Sequence, residues 1–190
     1  QHNALNALAA TAAALAIGVD LTAIKQGLEQ LKPVKGRLAP SRTAQGALVI
    51  DDTYNANPHS IRAAAHVLTK QIGTKVLVLG DIGELGDTAA DEHRALGADL
   101  AKMPLDAIFA AGEYAPNTVA DIAPDSVHAQ AFDNKDQLLI ALKNWLQSHT
   151  QQSPYQINIL FKGSRFTQME TLISAIEAEI TQDAQAFEHS

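Results

Sequence analysis

Four short stretches carry the side chains with which this chain can do chemistry. The first is Asp51-Asp52-Thr53-Tyr54-Asn55-Ala56-Asn57-Pro58, which follows an apolar run and leads into a helix start. Two adjacent carboxylates there can hold ribose hydroxyls or a hydrated Mg²⁺ ion. Asn55 and Asn57 offer both donors and acceptors, which suits a zwitterionic ligand such as a peptide. The plainer reading is that Asp51 and Asp52 end a strand and Asn57 caps a helix. The second stretch, Gly80-Asp81-Ile82-Gly83-Glu84-Leu85-Gly86, has the spacing G-x-x-G-x-x-G. That is not the G-x-G-x-x-G of dinucleotide folds, and Asp81 and Glu84 would repel a pyrophosphate. It reads either as a loop shaped by glycine or as a partner for a substrate ammonium through Asp81. The third, Lys162-Gly163-Ser164-Arg165, puts two cations and a hydroxyl before a helix start. It is an anion or carboxylate site, or else a solvated loop. The fourth, Lys35-Gly36-Arg37, sits where the pattern of the chain changes. An arginine at such a junction can reach a phosphate across a cleft.

Other chemistries are excluded by what the sequence lacks. There is no cysteine in the 190 residues, which removes disulfides, thiolate nucleophiles and Cys-held zinc. The seven histidines are scattered without metal-ligand spacing. Neither G-x-S-x-G nor a Walker A motif occurs, so the chain has no phosphate-cradling loop of its own. Lys plus Arg is 14 against 21 for Asp plus Glu, a net charge of −7. That balance argues against nucleic acid and anionic membranes as partners. With 46% hydrophobic and 18% charged residues, the chain is not of the disordered type.

These stretches need a frame to position them. Ala4–Ile17 reads as an apolar helix capped by Asn3 and ended by Gly18. At about 14 residues it is shorter than the roughly 20 of a membrane span. Asp20 caps a second helix over about Leu21–Leu31, stopped by Pro33. From Arg37 the pattern alternates. An edge strand is expected at Arg37–Thr43, since Pro40 is tolerated at a sheet edge. Further strands are expected at Ala47–Asp52, Lys75–Leu79, Asp106–Ala111, Val127–Ala131 and Gln156–Phe161. Helices are expected at about Pro58–Ile72, Thr88–Lys102, Ala115–Ile122, Lys135–Ser148 and Thr167–Ile180, with a solvated tail over Gln182–Ser190. Continuous apolar runs such as Val76-Leu77-Val78-Leu79 suit strands covered on both faces. The fold class is therefore α/β, an open and mostly parallel sheet of about six strands with helices on both faces, preceded by a short helical pair. Ligands of such sheets bind beyond the carboxyl ends of the strands, where three of the four stretches lie. The chain starts at Gln1 rather than Met, which is expected to mark a processed or cut end.

The order of these stretches resembles one family. His2-Asn3-Ala4-Leu5-Asn6-Ala7-Leu8-Ala9-Ala10 is similar to the H-N-x-x-N-x-x-A-A segment of the Mur ligases, and Pro33-Val34-Lys35-Gly36-Arg37 to their P-x-x-G-R stretch. Asp51–Ser60, Leu79–Gly86 and Lys162–Arg165 resemble D-D-T-Y-N-A-N-P-x-S, L-G-D-x-G-E-L-G and K-G-S-R of one branch. Only Ile61, Ile82, Phe166 and Thr167 depart from the residues more often expected there. The resemblance implies an ATP-dependent amide ligase of cytoplasmic peptidoglycan precursor synthesis, with a Rossmann-like C-terminal domain. Its branch implies UDP-N-acetylmuramoyl-tripeptide and D-alanyl-D-alanine as substrates, joined through an acyl phosphate, with Mg²⁺ needed.

By the same resemblance, residues 1–36 are the last helices of a central ATPase domain and residues 37–190 the C-terminal domain. Asn3 and Asn6 then meet the adenine end of ATP, Arg37 its terminal phosphates, and Asp52 the ribose. Tyr54, Asn55, Asn57, Asp81, Lys162, Ser164 and Arg165 place the dipeptide or the acyl phosphate. The main Mg²⁺ ligands lie outside this sequence, and the remainder of the ligase is the expected partner of the chain. A related ligase with another amino acid or a folate as acceptor, and a stand-alone α/β ligand-binding domain, are the alternatives.

Overall fold

A computed structural model describes residues 2–31, 34–43, 46–150 and 156–177. The chain divides into two units, Gln1–Pro33 and Val34–Ser190. The first holds helices α1 (His2–Ala16) and α2 (Leu21–Glu29). Asn3, expected as a cap, lies inside α1 instead, which begins at His2. Gly18 takes φ +83 after α1, a left-handed turn that glycine enters without a Cβ clash. Asp20 does cap α2, accepting a 2.9 Å hydrogen bond from the Thr22 amide. Leu8, Leu15, Ile17 and Leu21 remain exposed in this unit.

Among the described residues the second unit has one six-stranded sheet. Its strands are β1 (Ala39–Arg42), β2 (Leu48–Asp52), β3 (Thr74–Gly80), β4 (Ala107–Ala111), β5 (His128–Phe132) and β6 (Ile157–Lys162). They run in the order β1-β2-β6-β3-β4-β5. All neighbours are parallel except β1, which pairs antiparallel with β2 at one edge. Pro40 is harmless there because an edge strand has one side with no ladder to complete. Helices α3 (Pro58–Thr69), α4 (Ala89–Leu100), α5 (Ala115–Val119) and α6 (Lys135–Thr150) make the crossovers. Residues 170–177 are helical (α7). The rest of the helix expected to Ile180, and the expected tail, lie outside the described residues.

The period of two in each strand divides the apolar runs between two cores. Leu77, Leu79, Ile108, Ala110, Ile50 and Leu160 face α3 and α4, packing on Ile61, Leu68, Leu96 and Leu100. Val76, Val78, Phe109, Val49, Ile159 and Phe161 face the other way, onto Leu138 and Leu142 of α6 and Leu172 and Ile176 of α7. A continuous run such as residues 76–79 thus means burial on both faces. Close helix packing is set at Gly97 of α4, where a Cβ would run into the Thr118 carbonyl of α5.

Candidate functional site

The carboxyl ends of β2, β3 and β6 bring three of the four stretches to one end of the sheet. Asp51 and Asp52 close β2, and strand pleating turns consecutive side chains to opposite faces. They therefore do not form a paired-carboxylate site, the less plain of the two readings of their adjacency. Asp51 is buried and accepts from the Thr53 hydroxyl (2.7 Å) and amide (3.1 Å). Its other oxygen takes the Gly36 amide at 3.1 Å. Asp52 is the register partner of Lys162 on β6, so the two side chains share a face. Lys162 Nζ lies 2.7 Å from Asp52 Oδ2, with side-chain exposures of 4% and 14%. Lys162 also donates to the Asn55 carbonyl at 2.9 Å. Asp52 Oδ1 accepts the Leu38 amide at 3.1 Å.

Lys162 was expected in a loop after the strand, as an anion site. It is instead the last residue of β6, buried, with its charge matched inside the chain. Ser164 is buried too: its hydroxyl accepts the Gly83 amide at 2.8 Å and donates to the Ala56 carbonyl at 3.4 Å. Together they tie the loops after β2 and β3 to β6. Arg165 is exposed but pairs with Glu170 at 2.7 Å.

Asn57 is the N-cap of α3, accepting the Ser60 amide at 2.7 Å, while the Ser60 hydroxyl accepts the Asn57 amide at 3.0 Å. This reciprocal box, with Pro58 at the helix start, fulfils the plainer reading. Asn55 is exposed, and its side-chain oxygen accepts the Ala56 amide at 2.8 Å. Arg37 is exposed, and its guanidinium carbon lies 4.2 Å from the centroid of the Tyr54 ring, which is 51% exposed. The open polar surface at this end is thus Arg37, Tyr54, Asn55 and Arg165, beside the 67% exposed ring of Phe166. In the first unit Asn3 and Asn6 both lie within α1; Asn6 is exposed.

Asp81, expected to meet an ammonium, is buried at the end of β3. It accepts the Tyr114 amide at 3.2 Å and packs against Gly112, at φ +135, where any Cβ would strike the carboxylate. His93 is one of the seven histidines whose spacing carries no signal. It stands 3.9 Å from Asp81 and stacks on Tyr114. Its Nδ1 donates to the Ala89 carbonyl at 2.7 Å and its Nε2 accepts the Ile82 amide at 3.1 Å. Burial, the largest cause, pushes the Asp81 carboxyl above its ordinary range, against the Tyr114 amide, which lowers it.

Because the folded carboxyl holds its proton to a higher pH than the unfolded one, native stability falls as pH rises through that window and is level above it. Asp81→Asn keeps an acceptor for Tyr114 and cannot ionise. The stability of the variant relative to the parent is expected to rise from about pH 4, the unfolded value, and then to plateau. Urea unfolding at a series of pH values checks this; a difference that does not change with pH would refute it.

Among the described residues no group of three or more His, Asp or Glu side chains is placed to hold a metal ion. No helix among them is long and apolar enough to cross a membrane.

Comparison with known proteins agrees with this fold. Residues 36–165 match the family model described as Mur ligase, glutamate ligase domain. The UDP-N-acetylmuramoyl-tripeptide--D-alanyl-D-alanine ligase of Haemophilus influenzae is 37% identical over 180 residues, 95% of this chain and 38% of that protein. A crystal structure of MurF from Acinetobacter baumannii superposes with TM-score 0.85 at 49% identity, covering 94% of this chain and 38% of that one. MurF ligase from Thermotoga maritima, in complex with ADP, superposes with TM-score 0.70 at 25% identity, over 90% of this chain and 37% of its own. The chain spans little more than a third of the length of these relatives. The parallel sheet, the order of the loops at its carboxyl end and the family match over most of the second unit agree, and the chain belongs to the Mur ligase family.

Proposed function

We propose that this chain is the C-terminal part of a cytoplasmic, ATP-dependent ligase that joins D-alanyl-D-alanine to UDP-N-acetylmuramoyl-tripeptide. Residues 1–36 are then the end of the central ATPase domain and residues 37–190 the C-terminal domain. The observation that carries the reading is the exposed set Arg37, Tyr54 and Asn55 at the carboxyl end of the sheet. It is supported by the relatives that bear this activity in their names.

ATP supplies the phosphoryl group, with Mg²⁺ held by the rest of the ligase. Arg37 offsets charge on the terminal phosphates, since a planar guanidinium pairs with phosphate oxygens in two places at once. Asn3 and Asn6 lie toward the adenine. Asn55, Asn57 and Arg165 meet the dipeptide or the acyl phosphate, with Tyr54 beside them. Asp52, Asp81, Lys162 and Ser164 act one step back: they hold the loops that present those groups. Asp52, by this account, supports the ribose region through the frame and not by direct contact.

The full-length protein is expected to release phosphate from ATP only when both the tripeptide nucleotide and D-alanyl-D-alanine are present. Residues 1–190 alone, which lack a P-loop, are expected to release none. Phosphate release with glutamate or a folate in place of the dipeptide would overturn the assignment of the acceptor. An NMR titration of this chain with D-alanyl-D-alanine against L-alanyl-L-alanine locates the contacts, with selective shifts expected at residues 54–57 and 165.

A further inference from the structure

The segment that carries Arg37 is held at every residue. The Gly36 amide donates to Asp51 and the Leu38 amide to Asp52, each at 3.1 Å. The Tyr54 amide donates to the Gly36 carbonyl at 2.9 Å. Gly36 and Leu38, on either side of Arg37, take φ of +78 and +50. Leucine enters that region only against steric cost, so the surrounding bonds fix the turn. Gly36 is required twice: its φ is positive, and a Cβ would stand 3.0 Å from the Tyr54 amide nitrogen. The backbone therefore aims Arg37 from a fixed mount at the end of β2.

The side chain is aimed by a separate device. Its guanidinium lies on the Tyr54 ring, 4.2 Å from the centroid. An aromatic face attracts a cation without neutralising it, so the charge stays available, and the ring leaves the edge donors of the guanidinium free to bond. A carboxylate partner would have occupied those donors. Among the described residues Arg37 has no such ion pair.

We propose that Tyr54 is a positioning residue for Arg37: its ring holds the guanidinium in place for an anionic group, in the ligase reaction the terminal phosphates of ATP. This rests on the ligase reading above, and it gives Tyr54 a role other than contact with the dipeptide. The ring is what matters and the hydroxyl is not.

The test uses the full-length ligase. Tyr54→Leu is expected to lower kcat about fivefold, the scale of one exposed cation–π contact, with KM for the dipeptide unchanged. Tyr54→Phe, which keeps the ring, is expected to recover most of the rate that Tyr54→Leu loses. Added to Arg37→Ala, Tyr54→Leu is expected to cost nothing more, because two residues acting as a unit are not additive. In the 190-residue chain, Tyr54→Leu should abolish the upfield ring-current shift of the Arg37 side-chain protons. The proposal falls if Tyr54→Leu leaves kcat unchanged, if Tyr54→Phe is as slow as Tyr54→Leu, if the two effects multiply, or if only the dipeptide KM moves. A parent ligase that joins no dipeptide would sink the ligase reading and this proposal with it. An active parent indifferent to Tyr54 sinks this proposal alone.

Discussion

Lys162→Met lowers the stability of the sheet unit by about 3–5 kcal/mol, the scale of breaking a buried ion pair from one side. The cause is what stays behind. Asp52 is left without its cation in a place where 14% of its side chain meets solvent, and the Asn55 carbonyl loses its 2.9 Å donor. Methionine matches the length of the lysine, so little of the effect comes from lost volume. For a domain whose net stability is about 5–15 kcal/mol, this is a large share. Urea unfolding followed by the fluorescence of Trp145 reads it, because the single tryptophan lies in α6 of the same unit. Asp52→Leu combined with Lys162→Met should recover part of the loss, since no unpaired charge remains. It should not recover all of it, because Asp52 also takes the Leu38 amide. A midpoint shift of the size of an ordinary surface change, within about 0.5 kcal/mol, would show that the pair is not what holds this end of the sheet.

In the full-length ligase, Arg37→Ala is expected to lower kcat about 10³-fold, the lower range for an arginine that stabilises a transferring phosphoryl group. Arg37→Lys should restore only part of the rate, because a point charge cannot pair in two places. The isolated chain carrying Arg37→Ala should unfold within about 0.5 kcal/mol of the parent, since the side chain is exposed and touches no core. Steady-state kinetics beside urea unfolding separates the two effects. A rate within tenfold of the parent would mean that Arg37 does not meet the phosphates.

The frame was legible because its signals are local. Apolar runs and the turn residues between them placed every strand within two residues, Pro40 marked an edge, and Asn57 with Pro58 marked the start of α3. The sequence showed which residues lie at the strand ends but not which way they point. Two neighbouring aspartates read as a pair, and pleating separates them. Lys162 read as an exposed cation because its partner is more than 100 positions away, and only the order of the strands brings β6 beside β2. The Arg37–Tyr54 stack and the contact of His93 with Asp81 are hidden from spacing too. No spacing rule links residues that meet through a turn at +78° or across two loops. The branch resemblance named polar residues at the carboxyl end of the sheet, without separating those that face solvent from those that carry them.

The strand order also bears on how the protein is made. β6 lies between β2 and β3, and it alone joins β1–β2 to β3–β4–β5. It is the last of the six strands to leave the ribosome. Until residue 157 emerges, β2 and β3 each offer an open ladder edge rich in valine, isoleucine and leucine. Such edges pair readily with other chains. A nascent chain halted just short of β6 would hold two half-sheets joined only through the packing of α3 on α4, with both edges open to other chains until the final strand closed the gap.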